Sequence, residues 1–170
     1  MKKVILYILG AIILLVVVFL SIGFFVPVIE YTTTVEINKP RDVTWTVLRK
    51  RKDWIYGFKS FEQVSGVPNE VGGRTRVTVV RDGVESTFDA ELKDIKPPEM
   101  VESELSNNML VHDAIVRLTD EGGKTRLISN EKITGRNPFY RSMFVLFKGR
   151  ITSISAKNFD GLKQVVEGAE

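Results

Sequence analysis

Cysteine is absent from this 170-residue chain, and histidine occurs once, as His112. The first absence excludes a disulfide scaffold, a thiol nucleophile and every cysteine-ligated zinc or iron–sulfur site. The second excludes the two-histidine metal motifs and leaves one candidate for a histidine-based catalytic group. A strong charge of either sign is also missing: Lys2 and Lys3 precede a long apolar run, and the remainder of the chain carries 22 basic against 21 acidic side chains. So balanced a domain has no electrostatic footprint for nucleic acid. Nor is there a glycine-rich phosphate loop, a nucleophile elbow or an acidic metal cluster, so no cofactor is implied.

What is present first is a hydrophobic run. No charged residue occurs from Val4 to Ile29. As a helix this stretch measures about 39 Å, against roughly 30 Å of bilayer hydrocarbon. A cleaved signal peptide has a shorter apolar region and ends in small residues. Here Phe24, Phe25 and Val26 stand where small residues are wanted. The run therefore reads as an uncleaved single-pass membrane anchor over residues 1–29, ahead of a domain over 30–170. Lys2, Lys3 and the terminal amine favour a cytoplasmic N-terminus, which puts that domain on the extracytoplasmic side.

The rest switches between two periods. Glu30–Ile37 alternates as a strand and is rich in β-branched residues. Asn38-Lys39-Pro40 then opens a helix, with Asn38 as its cap and Val43, Val47 and Leu48 as its apolar stripe. Asp53 begins a short helix or turn carrying Trp54, Ile55 and Phe58. From Thr75 onward the period is two. Asp82-Gly83 makes a two-residue hairpin, and strands follow over 84–93, 100–105, 110–118 and 125–133. Asn137-Pro138 starts one long helix whose apolar positions are Phe139, Met143, Phe147, Ile151, Ile154, Leu162 and Val165. The pattern predicts an α+β domain, a sheet of six or seven antiparallel strands covered by one long C-terminal helix.

This order of elements is the helix-grip arrangement, and its local residues agree. Val35-Glu36-Ile37-Asn38-Lys39-Pro40 followed by Val43 and Trp45 resembles the opening of the START-like superfamily (SRPBCC, Bet v 1-like). Trp54 stands where that group usually has a tryptophan. Gly122-Gly123-Lys124-Thr125-Arg126-Leu127 is similar to its last hairpin, and Asn137-Pro138-Phe139 with Arg141, then Gly161-Leu162-Lys163 and Glu167, to its closing helix in the polyketide cyclase/dehydrase branch. The resemblance covers about residues 31–167. It implies a curved sheet around the long helix, with a cavity between them for an apolar or amphipathic small molecule or lipid. It does not imply one reaction.

Strand alternation puts Val77, Phe88, Val116 and Leu127 inward, and with them Ser86, Ser103, His112, Ser129 and Glu131. His112 and Glu131 are then the titratable pair of the cavity, either orienting a polar ligand group or serving as acid and base. The plainer alternative has both solvated, at a strand end and at the cavity mouth. Trp54, Phe58, Phe88, Phe144 and Phe147 are the candidate apolar lining, with ordinary core as the alternative for each. The basic run 49–52 suits either a helix C-terminus or anionic lipid head groups. The expectation is a membrane-tethered domain that binds a hydrophobic molecule or lipid without catalysis. A cyclase-type enzyme using His112 and Glu131, or an interaction module whose cavity is filled by side chains, are the alternatives. Protein partners and oligomeric state stay open.

Overall fold

The computed structural model describes residues 2–168. Helix α1 (Lys2–Phe25) is followed by strand β1 (Val28–Ile37), helix α2 (Arg41–Lys50) and strands β2 (Phe58–Ser65), β3 (Arg74–Arg81), β4 (Val84–Lys96), β5 (Met100–Ser106), β6 (Leu110–Asp120) and β7 (Thr125–Gly135). Helices α3 (Pro138–Leu146) and α4 (Lys148–Glu167) close the chain. The strands form one antiparallel sheet in the order β1-β7-β6-β5-β4-β3-β2. Strands β2–β7 are thus a meander, β1 joins its far edge, and α2 connects the two edges. This is the helix-grip fold expected from the sequence.

Strand β7 sets the inward face. Its odd-numbered residues from Thr125 to Gly135 are buried and the even ones are not, the period-two signature of a sheet with one covered face. Across it, Ile29 pairs with Ile133, Tyr31 with Glu131, Thr33 with Ser129 and Val35 with Leu127. Two apolar cores form on that face. The larger joins Ile37, Val47, Leu48, Val101, Val116, Leu118 and Leu127 to Phe159, Leu162 and Val166 of α4, with Trp54 stacked on Phe159. The smaller joins Ile29, Ile133 and Phe144 under α3. A polar row at Tyr31, Glu131, Thr33 and Ser129 separates them.

Several expectations are corrected. The single C-terminal helix is two helices, broken at Phe147, whose backbone (φ −99°, ψ 17°) leaves the helical path. The break lets α3 pack on α1 and β7 while α4 crosses β1. Helix α4 buries Ser155, Phe159, Leu162 and Val166; Ser155 escapes an apolar-stripe count because it is polar. Strand β2 was not expected. It is a mostly exposed edge with two register shifts, and bulges erase the alternation that would reveal it. Asn38 does not cap α2, which starts at Arg41 after Pro40 without a side-chain cap. Instead its amide and side chain both donate to Glu167 Oε1, at 2.8 and 3.0 Å. Strand β1 begins at Val28, ahead of the boundary expected at residue 30, and Ile29 belongs to the core.

One helix, α1, is long and apolar enough to cross a membrane. It is exposed from Lys2 to Val18 and meets the domain only near its end. There Gly23 lies so close to α3 that a Cβ would fall 2.2 Å from the Pro138 carbonyl oxygen. The buried Ser142 hydroxyl accepts from Gly23 N–H at 2.8 Å and donates towards the Phe19 carbonyl. A serine of α3 is thereby inserted between two backbone groups that would otherwise bond within α1.

Candidate ligand-binding site

Glu131 sits mid-strand in β7 on the inward face, its side chain 5% exposed. A buried carboxylate must be paired or fully hydrogen-bonded, and this one receives four donors. Oε2 accepts from the Tyr31 hydroxyl at 2.9 Å and bonds His112 Nε2 at 3.0 Å. Oε1 accepts from the Ser129 hydroxyl at 3.2 Å and from Ser155 of α4. Because Ser155 gives its proton to Glu131, the Thr33 hydroxyl 3.0 Å away donates to Ser155.

The electrostatics are set by that shell. Burial works to raise the Glu131 pKa, but the hydrogen bonds from His112 and Ser155, the His112 charge and the Tyr31 hydroxyl outweigh it, holding the carboxyl below its ordinary value. The Tyr31 hydroxyl is pushed well above the usual tyrosine range, first by burial and then by the neighbouring carboxylate. Glu131 is thus a fixed anion. His112 commits Nε2 to it, leaving Nδ1 for whatever lies beyond; its side chain is 21% exposed. The acceptor-only carboxylate opposite Nε2 requires a proton on that nitrogen.

Beyond the cluster the inward face is only half covered. Helix α4 packs over β1, while the inward residues of the central strands, Phe88, Ala90, Ser103, Leu105, His112 and Ala114, are all half-buried. Ala114 lies between Ser103 and Glu131 in the cross-strand row. Small side chains, Ala90, Ser103 and Ala114, alternate there with apolar Phe88 and Leu105, and Leu105 pairs directly across the sheet with polar His112. His112 is two residues from the start of β6, at the end of the sheet where Arg136 and Met109 join the β5–β6 turn to the approach to α3.

The resemblance implies a cavity between the sheet and the long helix; Phe159, Leu162 and Val166 of α4 pack against the sheet there, and Ser155 bonds Glu131. Two surface concavities lie elsewhere. One of about 420 Å³ is bounded by Arg41, Lys96, Glu99 and Arg117. Another of about 220 Å³ runs along Arg74, Glu91 and Glu104. Among the described residues no three histidine, aspartate or glutamate side chains are grouped to hold a metal.

Of the candidate residues, His112 and Glu131 are brought together, and Phe88 is half-buried on the inward face of β4. Trp54 is wedged against Phe159 and Gly161 as core, and Phe144 is buried in the smaller core. Phe58 is half-buried at the start of the edge strand β2. Phe147 is corrected outright: at 56% exposed on the α3–α4 junction it lines no interior. The solvated alternative for Glu131 is overturned by its burial. Sequence reasoning missed Tyr31, Thr33 and Ser155. Tyr31 and Thr33 were legible as one face of β1, but not as neighbours of Glu131; the helical spacing Ile151, Ser155, Phe159, which puts a serine in line with two apolar residues, was the signal for Ser155.

No family model matches the chain, and comparison with curated proteins finds no match. Solved structures are similar. Ara h 8.0201 superposes with a TM-score of 0.68 at 15% identity over 84% of this chain and 99% of its own. The Zhui aromatase/cyclase from Streptomyces sp. R1128 gives 0.68 at 14% identity over 82% and 94%. The di-domain aromatase/cyclase BexL of the BE-7585A biosynthetic pathway gives 0.63 at 15% identity, over 85% of this chain and 51% of that one. The fold is that of the Bet v 1-like and aromatase/cyclase structures, with an apolar helix added in front.

Proposed function

We propose that this protein is a membrane-anchored binding module that takes an amphipathic, largely apolar small molecule or lipid into the cleft on its concave face. The observation that carries this is the half-buried floor of the central strands, Ala90, Ser103 and Ala114 between Phe88, Leu105 and His112. Central inward positions are normally the best-covered part of a sheet, and small residues left half-open there mark a recess. Apolar contact supplies affinity, and His112 Nδ1 orients one polar group. Catalysis is disfavoured because Glu131 has each oxygen occupied by two donors and is held as an anion, so it has no proton to exchange near neutral pH. The long apolar α1 supports tethering to a bilayer, and the cleft opens near the end of the sheet that α1 adjoins. In the structures with aromatase/cyclase in their names this fold serves enzymes; the feature here that favours the same is the 3.0 Å His112–Glu131 pair, which could make Nδ1 a general base.

A plug variant tests binding. Ala114→Phe fills the recess from a half-open position, so detergent-extracted protein should keep its melting temperature within a few degrees. It should bind a fluorescent fatty acid at least tenfold more weakly than the parent. An unchanged affinity, or a parent that takes up neither that probe nor any apolar molecule seen by native mass spectrometry, overturns the reading. His112→Ala separates the two roles: a binder retains the probe within a few-fold, whereas a cyclase-type enzyme loses turnover of a poly-β-ketone thioester.

A further inference from the structure

We propose that α3 is an interfacial helix that seats the domain on an anionic bilayer surface, a second membrane contact beside α1. It rests on reading α1 as a span. About 20 helical residues cross the hydrocarbon, so a span starting at Val4 leaves it near Gly23. Helix α3 is fixed at that depth: Ser142 bonds the Phe19 carbonyl and Gly23 N–H, and the Phe139 ring meets Phe19 edge-on with centroids 5.5 Å apart. At that level Phe139, Leu146 and Phe147 are 52%, 60% and 56% exposed. The buried residues of α3 are Ser142, which faces α1, and Phe144, which enters the smaller core. Three large apolar side chains on α3 and its junction with α4, beside the end of a span, have a lipid surface as their neighbour.

Charge agrees. From residue 132 to residue 159 there is no acidic residue, while Lys132, Arg136, Arg141, Lys148, Arg150 and Lys157 are basic. Of these, Arg150 is paired with Asp82 of the β3–β4 turn, and Arg136 and Arg141 bond the Asn107 and Gly135 carbonyls, which leaves their charge unneutralised. Exposed apolar residues interleaved with cations are the composition of helices that lie in the plane of anionic membranes.

The absence of cysteine makes the test direct. Single cysteines replacing Leu146, Phe147, Leu14 or Lys124 in the full chain carry spin labels, and each protein is reconstituted in phosphatidylcholine vesicles with or without phosphatidylglycerol. Lys124 lies on the β6–β7 turn, at the opposite end of the sheet. In anionic vesicles the labels at 146 and 147 should collide more with oxygen than with a water-soluble nickel chelate. The label at 124 should do the reverse, and the contrast at 146 and 147 should shrink in neutral vesicles. Labels at 146 and 147 that behave like the one at 124, or that are shielded from both reagents as a protein partner or second copy would shield them, overturn the proposal. So does a contrast indifferent to lipid charge. A label at 14 open to the nickel chelate instead overturns the span, and the α3 proposal with it.

Discussion

Glu131 is held by donors from four different parts of the chain: Tyr31, His112, Ser129 and Ser155. Its depressed pKa makes the sign of a pH effect definite. The native carboxyl stays ionised to lower pH than the unfolded one, so the unfolded state binds more protons in that interval. The contribution is complete above the unfolded value of about 4.3 and is lost as pH falls through the lower native value. Tyr31 acts in the opposite range: with its native pKa raised, its contribution is complete below about pH 10 and declines as pH rises beyond that. Glu131→Gln should cost about 2–3 kcal/mol at neutral pH, since bonds to a charged acceptor are lost and an amide N–H₂ faces donors. It should also flatten the acid limb of a stability–pH curve from urea melts; an unchanged limb would show that the carboxylate is not what acid titrates. Period two alone put His112 and Glu131 on one face. It carried no information on how many donors would converge there, because Tyr31 and Ser155 come from strands and helices whose pairing with β7 is non-local.

Helix α4 illustrates how a propensity rule yields to packing. Glycine inside a helix is normally improved by alanine, by about 0.5–1 kcal/mol. At Gly149 nothing lies within 4 Å of an added Cβ, so Gly149→Ala should raise stability by about 0.5 kcal/mol. At Gly161 the same Cβ would sit 2.6 Å from the Trp54 carbonyl oxygen, and backbone cannot step aside. Gly161→Ala should therefore lose about 1–3 kcal/mol; thermal melts of both variants check the opposite signs, and two changes of one sign would refute this placement of α4 against Trp54. In the sequence both glycines interrupt one helical stripe alike, and nothing local distinguishes the free one from the wedged one. The break at Phe147 was illegible for a related reason: the apolar spacing runs through it, and only the packing of α3 against α1 sets it.

The chain as a unit is less divisible than its composition suggests. Hydropathy marks a boundary at residue 29, yet Ile29 is core and the end of α1 is bonded to α3. A protein lacking residues 1–27 should fold, whereas one lacking residues 1–29 should be less stable by about 2–5 kcal/mol, the range for deleting a buried isoleucine. Equal urea midpoints would contradict the position of Ile29. The full chain should stay with membranes through a carbonate wash. Strands β3–β7 and the helical character of the C-terminal segment were legible because alternation and turn chemistry are local, whereas the edge strand β2 and the break at Phe147 depend on non-local packing. Only two residues, Val26 and Pro27, join α1 to β1. A link that short reaches only about 7 Å, and the Ser142 clasp removes even that slack. On the reading of α1 as a span, this short, clasped link couples the domain to it, so that a turn of the helix about its own axis would turn the sheet with it. On the proposed reading, with α1 in a bilayer and an apolar molecule on the concave face, cargo would travel no farther than lateral drift in one bilayer carries it, so donor and acceptor would lie in that bilayer or come to it.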